Sequence, residues 1–233
     1  MDISIRSTEL ERMDAPDLDK KELQEALTDI NLCNRWLGGV AITRKAVKQL
    51  MQRYPKKSYT ILDVGCGDGY MLRQLAKRLG RSGTIFNFVG IDINATILDI
   101  AKQESRDFSN IQYYNLDVLT ATGLKCDILI CTLMLHHLEE ESIPRFLKKF
   151  AALAKVGVVI NDLERSPLAH FLFKTFSFFF LTSPVAKNDG LVSIRRGFRK
   201  YELKHWAGTM KKYTHKIQWK LLFRYLWIIQ PGQ

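Results

Sequence analysis

Between residues 59 and 160, five short apolar runs (59–64, 85–91, 111–116, 128–131 and 156–160) alternate with segments whose apolar residues recur at helical spacing. Runs of strand length that are apolar almost throughout read as strands covered on both faces. Strands separated by helices return to one sheet by crossovers, which makes neighbouring strands parallel and lays helices over both faces. The rhythm therefore predicts an α/β fold. Met71, Leu72, Leu75, Ala76 and Leu79 form one helical stripe; Ile143, Phe146, Leu147, Phe150 and Leu153 form another, with Ser142 as N-cap and Pro144 in its first turn. Ahead of this core, Leu23, Leu27 and Ile30, then Val40, Val47, Leu50, Met51 and Tyr54, read as helices. Residues 213–229 read as two strands, an antiparallel hairpin closing the sheet. The expected sheet is seven-stranded and mostly parallel, with an antiparallel C-terminal strand.

A chain of 233 residues with 46% hydrophobic and 25% charged content suits one elaborated domain. Its four cysteines, Cys33, Cys66, Cys126 and Cys131, form no CxxC pair and no Cys/His ligand spacing, so neither a disulfide framework nor a metal site is indicated. The start is acidic and polar (Asp2, Glu9, Glu11, Asp14) rather than basic then apolar, unlike a signal peptide. The longest apolar stretch, 168–181, is interrupted by His170 and Lys174 and is too short to span a bilayer. A reducing, cytoplasmic setting is expected. The net charge of +11 gathers beyond Leu191, where a series of basic residues from Arg195 to Arg224 faces Glu202 as the sole acid. A solvated face, anionic lipid and nucleic acid each account for such a surface.

The exit of the first strand reads "ILDVGCGDGY", residues 61–70. A dinucleotide fingerprint needs a small residue where Tyr70 stands, and no G-K-[ST] ending marks a phosphate loop. Asp63 and Asp68 flank the turn, and carboxylates there repel phosphate. A phosphate-free nucleoside carrying positive charge fits better. S-adenosylmethionine has that composition, with an adenosine, a sulfonium and an ammonium.

At this level the sequence resembles the class I S-adenosylmethionine-dependent methyltransferases. "LDVGCGDG" resembles the family's first motif, which implies that Asp63 helps hold the methionine ammonium and that Gly65, Cys66 and Gly67 lie against the cofactor. "VGIDIN" resembles the second, implying ribose contacts from Asp92 with Ile93 beside the adenine. "YYNLDVL" puts Asp117 where the family reads the adenine amino group, with Val118 on the ring. "ILICTLMLHHL" resembles the fourth, whose backbone from Cys131 to Leu133 passes under the cofactor. The resemblance implies a Rossmann-like fold in a single domain, with a cofactor-binding core at 56–160, an N-terminal helical cap at 1–55, an acceptor-side insertion at 161–212 and final strands at 213–233. The product would be S-adenosylhomocysteine.

Methyl transfer from a sulfonium needs alignment of the acceptor and, for a phenol or alcohol, loss of its proton. His136 and His137 follow the fourth strand at the edge where the methyl should lie. His136 is the preferred base and His137 a hydrogen-bonding partner; the competing reading is that both shape the pocket. The N-P-P-Y-like tetrad of amino-methylating DNA enzymes and the Pro-Cys of cytosine carbon-5 enzymes are missing, which disfavours nucleic acid. "LAHFLFKTFSFFFL" (168–181), Phe171 included, reads either as an apolar lid over an oily acceptor or as a packing or homodimer face. "INLCNRWLGG", "VINDLERSPLAHFLFKTF" and "NDGLVSIRRGF" resemble bacterial O-methyltransferases associated with type III polyketide synthases. That narrower resemblance implies that Asn34, Trp36, Gly38 and Gly39 close over cofactor and acceptor. It also implies that Asp162 and Arg165 stand at the pocket rim and that Arg195 and Arg196 place the cap. The expected reaction is methylation of an oxygen on a small hydrophobic phenol, enol or quinol, without a metal. Alternatives are carbon methylation of an isoprenoid quinone precursor, RNA methylation, or a non-catalytic cofactor-binding module. Contact with an anionic membrane through the basic C-terminal region is a further expectation.

Overall fold

A computed structural model describes residues 3–15, 18–79 and 83–232; Met1 and Asp2 of the acidic start lie outside the described residues. Two helices, α1 (Lys20–Trp36) and α2 (Gly39–Arg53), precede the alternating core. There follow β1 (Ser58–Val64), α3 (Tyr70–Leu79), β2 (Ile85–Asp92), α4 (Ala95–Glu104), β3 (Ile111–Asn115), β4 (Cys126–Thr132), α5 (Ile143–Leu153) and β5 (Ala154–Leu163). Three helices, α6 (Pro167–Phe180), α7 (Pro184–Arg196) and α8 (Lys200–Thr209), then lead to β6 (Tyr213–Lys220) and β7 (Arg224–Pro231).

The seven strands run in the order β3-β2-β1-β4-β5-β7-β6. Strands β1 to β5 pair in parallel, and β7 inserts antiparallel between β5 and β6. The sheet is the mostly parallel one expected. Its fifth strand is longer than the apolar run because Asn161 and Asp162, although polar, continue the ladder against Leu226 and Tyr225 of β7. Strand pleating divides the core into two layers. Leu129 and Cys131 join Phe150 and Trp227 on the face under α5, while Ile128 and Ile130 join Val47, Leu50 and Leu72 on the face under α2 and α3. Ser142 precedes α5 as expected but makes no side-chain capping bond; Pro144 does sit in the first turn. Among the described residues no helix is long and apolar enough to cross a membrane.

Strand order reverses between β1 and β4, where the crossovers diverge to opposite sides. In an open sheet of this kind the crevice beyond the carboxyl ends of those strands is where ligands bind.

Candidate active site

A cavity of about 810 Å³ opens at that reversal. Its floor is the turn after β1, where Gly65, Gly67 and Gly69 all take positive φ (68°, 55° and 75°). The reasons for glycine differ. A Cβ on Gly65 would stand 2.4 Å from Met134 Cγ, whereas one on Gly67 would meet nothing within 4 Å. Gly67 thus leaves bare backbone facing open space. Its amide donates to Asp92 Oδ2 at 3.0 Å, and Asp92 Oδ1 accepts from Asn94 N at 3.0 Å, so this acid is fixed at the end of β2.

The two acids of the turn have different fates. Asp68 is neutralised: Arg73 Nη2 lies 3.1 Å from Asp68 Oδ2, and Asn31 Nδ2 donates to the same oxygen at 2.6 Å. Asp63 is buried on the cavity wall and makes no ion pair among the described residues. Burial, and then the nearby Asp92, push its carboxyl well above the ordinary aspartate range. A cationic ligand group would reverse that shift. The case against phosphate therefore rests on Asp63 and Asp92 rather than on Asp68.

Ile93, Asp117, Val118 and Leu133 also line the cavity. Asp117 Oδ1 accepts from Leu119 N at 2.8 Å, a local turn, and Leu133 holds a positive φ of 54°. Cys66 lies on the wall with its thiol pushed well up by burial, then by Asp63, Asp92 and Asp68. Cys131 does not reach the cavity. It is fully buried in the layer under α5, and the wall begins at Thr132.

Beyond the glycine turn the wall is built by helical periodicity. Leu27, Ile30, Asn31 and Asn34 of α1 fall on one face, as do Ala169, Leu172, Phe173 and Phe176 of α6. Phe171 lies on the opposite, solvent side of α6 at 65% exposure, and Trp36 is 51% exposed, packed edge-on against Phe176 and Phe180. Both residues were expected to touch the acceptor, and neither lines the cavity. The aromatic run is instead shared between two faces of one helix.

His136 and His137 occupy a 3-10 turn after β4, and both line the cavity. His136 Nδ1 donates to Asp162 Oδ1 at 2.7 Å, and its Nε2 lies 3.4 Å from Glu11 Oε1. Burial opposes charge on this ring, yet Asp162 and then Glu11 outweigh it and hold its pKa at about 9. His137 Nδ1 meets Asp14 Oδ2 at 3.0 Å, and its Nε2 lies 3.6 Å from Glu11 Oε2. Glu11 is buried and accepts from Ser193 Oγ at 2.7 Å. Asp189 of α7 takes the amides of Arg12 and Met13 at 2.9 and 2.8 Å, which pins the segment carrying Glu11. Sequence reading did not find Glu11, because its partners are contributed by distant segments.

Asp162 and Arg165 do not stand at a rim. Both are buried, Asp162 behind His136 and Arg165 in a bidentate pair with Glu202 (2.6 and 3.3 Å) while donating to Ile3 O and Gly197 O. Arg196 and Arg6 converge on the histidine turn: Arg196 donates to His136 O and His137 O at 2.9 and 2.6 Å, and Arg6 to His136 O and Leu138 O at 2.6 and 2.8 Å. Arg195 pairs with Glu9.

One further group was not foreseen. Arg224, at the start of β7, is buried on the cavity wall; Nη2 donates to Asn34 Oδ1 at 3.3 Å, while Nε and Nη1 have no partner among the described residues. Burial lowers its pKa to about 10. A Cβ on Gly39 would stand 2.4 Å from Asn34 Oδ1 and 3.3 Å from Arg224 Cζ, so this glycine makes room for the pair. The preceding turn residues, Leu222 and Phe223, both have positive φ (67° and 59°) and both line the cavity.

Comparison with known proteins agrees with this layout. Residues 61–157 match the family described as Methyltransferase domain. Ubiquinone biosynthesis O-methyltransferase of Coxiella burnetii is 32% identical over 114 residues, 48% of this chain and 45% of that protein, so the match spans under half of the relative's length. The 2-phytyl-1,4-naphtoquinone methyltransferase of Thermosynechococcus vestitus is 42% identical over 60 residues, 26% of this chain and 25% of that protein. The plantazolicin methyltransferase BpumL, solved in complex with SAH, superposes with a TM-score of 0.70 at 13% identity, covering 94% of this chain and 92% of that one. The glycine turn and its acids thus lie in the stretch that matches a methyltransferase domain, and the seven-stranded sheet has the fold of an SAH-bound methyltransferase, which supports a class I, S-adenosylmethionine-dependent methyltransferase.

Proposed function

We propose that this chain transfers the methyl group of S-adenosylmethionine to an oxygen of a small hydrophobic phenol, enol or quinol. The observation that carries this reading is the continuity of one cavity from the glycine turn, past His136 and His137, to an apolar wall of Leu172, Phe173 and Phe176. The O-methyltransferase of ubiquinone biosynthesis among the relatives supports it. Asp63 holds the methionine ammonium, Asp92 the ribose, and Asp117 the adenine amino group, with Ile93, Val118 and Leu133 against the rings. Arg224, with two unpartnered donors, suits the carboxylate of the same amino-acid tail.

The displacement releases a neutral thioether, so the enzyme's task is alignment and handling of the acceptor proton. An unperturbed phenol has a pKa near ~10. His136, protonated up to about pH 9, does not begin as an acceptor of that proton. It is a buried cation beside the acceptor oxygen, which lowers the acceptor's own pKa and stabilises the oxyanion that attacks. Asp162 orients the ring. The test is incubation with labelled S-adenosylmethionine and a long-chain resorcinol or hydroxyquinol, followed by assignment of the methylated atom. An O-methyl product supports the reading; label in total RNA and none in the phenol would overturn it. The match to 2-phytyl-1,4-naphtoquinone methyltransferase favours one second reading, carbon methylation of an isoprenoid quinone precursor, which the position of the new methyl would reveal.

An oily acceptor reaches the cavity most directly from a membrane. The outer face of α6 carries Leu168, Phe171, Phe178 and Phe179, all exposed, on a chain of net charge +11. An apolar helix face on a basic chain suits the interface of an anionic bilayer.

A further inference from the structure

We propose that Glu11, His136 and His137 form a binding site for one divalent transition-metal ion of the zinc class at the acceptor end of the cavity. Each imidazole has its Nδ1 engaged by a carboxylate, His136 by Asp162 at 2.7 Å and His137 by Asp14 at 3.0 Å. Those contacts turn both Nε2 atoms toward one residue, Glu11, at 3.4 Å from Oε1 and 3.6 Å from Oε2. A carboxylate behind each ligating imidazole is the arrangement that fixes tautomer and ring orientation at metal centres.

The spacing fits an ion. Ligand atoms from the three side chains all lie within 4.8 Å of one another. Two atoms each bonded to a tetrahedral ion at ~2.0–2.1 Å stand roughly 3.3 Å apart, and each imidazole lies near that distance from one of the two Glu11 oxygens, His136 from Oε1 and His137 from Oε2. His136 Nε2 is buried and lacks a hydrogen-bond partner among the described residues, its approach to Glu11 being an ion pair without hydrogen-bond geometry. A buried polar atom aimed at a carboxylate without bonding it marks a place for a third body. Glu11, Asp14 and Asp162 surround the two rings with negative charge, while Arg6 and Arg196 turn to the backbone carbonyls of the histidine turn and leave the rings free.

Two imidazoles and one carboxylate select a zinc-like ion over magnesium or calcium, which prefer all-oxygen shells. Three protein ligands leave a position open, and here it faces the cavity. Binding would release the proton that His136 otherwise carries on Nε2, so the ion would take the place of that positive charge, and an acceptor hydroxyl in the open position would ionise more readily. Only this last step rests on the proposed O-methylation.

The full-length chain, stripped with a chelator, is titrated with Zn²⁺ against a chromophoric indicator and with Co²⁺ for ligand-field absorption. The expected result is one ion per chain with at least ten-fold weaker binding in Glu11→Gln and His137→Ala, both still binding S-adenosylhomocysteine as evidence of folding. Asp162→Asn should weaken the ion by ~10–100-fold through the lost support of His136. No Zn²⁺ binding below millimolar concentration, or variant titrations that coincide with the parent, would overturn the site. Ion binding without methylation of any phenol would sink the acceptor reading and leave the site standing; phenol methylation by a chain that binds no ion would do the reverse.

Discussion

Asp162 accepts the ring proton of His136 at 2.7 Å with both side chains buried, and the same carboxylate lies 3.3 Å from the His136 backbone amide. The pair ties the turn after β4 to β5, neighbouring strands joined by the register Thr132↔Asn161. The contact is therefore part of the sheet edge as well as of the site. Asp162→Ala should lower unfolding free energy by about 3–5 kcal/mol, the range for stranding one partner of a buried pair, as read from denaturant midpoints. A loss below about 1 kcal/mol would mean the pair is not sensed by the fold.

Asp63 predicts a pH dependence of cofactor binding. Its folded-state carboxyl is raised by burial and Asp92, so in the ligand-free protein its favourable contribution is complete below the ordinary aspartate range and is lost as pH rises through the raised value. An ammonium beside it favours the ionised form. Affinity for S-adenosylhomocysteine should therefore tighten from pH 5 toward pH 8 by calorimetry, and Asp63→Asn should flatten that profile.

The proposed contact of Arg224 with the amino-acid tail can be tested apart from the nucleoside end. Losing a charged hydrogen-bonding partner costs about 1.5–3 kcal/mol, so Arg224→Gln should weaken S-adenosylhomocysteine roughly 10–100-fold. Methylthioadenosine, the same nucleoside without the amino-acid tail, should bind as before. Equal losses for both ligands would place Arg224 elsewhere in the reaction.

Leu222 and Phe223 occupy left-handed backbone in the three-residue loop between Lys220 and Arg224, positions that Asn and Gly take at the least cost. Such backbone costs roughly 1–2 kcal/mol per non-glycine residue. The double variant Leu222→Asn, Phe223→Gly should raise the melting temperature while weakening the acceptor, whose wall it removes. Unchanged stability would show that the strain is already relieved by packing.

The outer face of α6 predicts lipid binding. Phe178→Ser with Phe179→Ser should reduce co-sedimentation with phosphatidylglycerol vesicles several-fold and shift stability by no more than about 0.5 kcal/mol, as expected for exposed positions. Binding that depends only on the basic C-terminal residues and vanishes in high salt would assign the contact to charge alone.

Glycine spacing and strand rhythm are local, so the parallel core, its crossovers and the turn at Gly65 and Gly67 were legible from residues a few positions apart. The identity of the wall was not. Phe171 and Phe173 are near neighbours in one aromatic run, and helix phase alone sends the first to solvent and the second into the cavity. Asp68 looked like a second acid facing the ligand until Arg73, one helical turn on, took its charge. Arg165 looked like a rim residue, but its partner Glu202 lies on α8.

By itself the sequence determined the fold class and the kind of ligand its glycine turn admits, because hydrophobic periodicity and backbone freedom act over short stretches. Only the tertiary structure decided the chemistry at the far end. The assembly of Glu11 with His136, His137 and Asp162, and of Arg224 with Asn34, depends on which distant segments the packed sheet and helices bring within hydrogen-bonding distance. Burial then shifts their charges in ways that no spacing along the chain encodes.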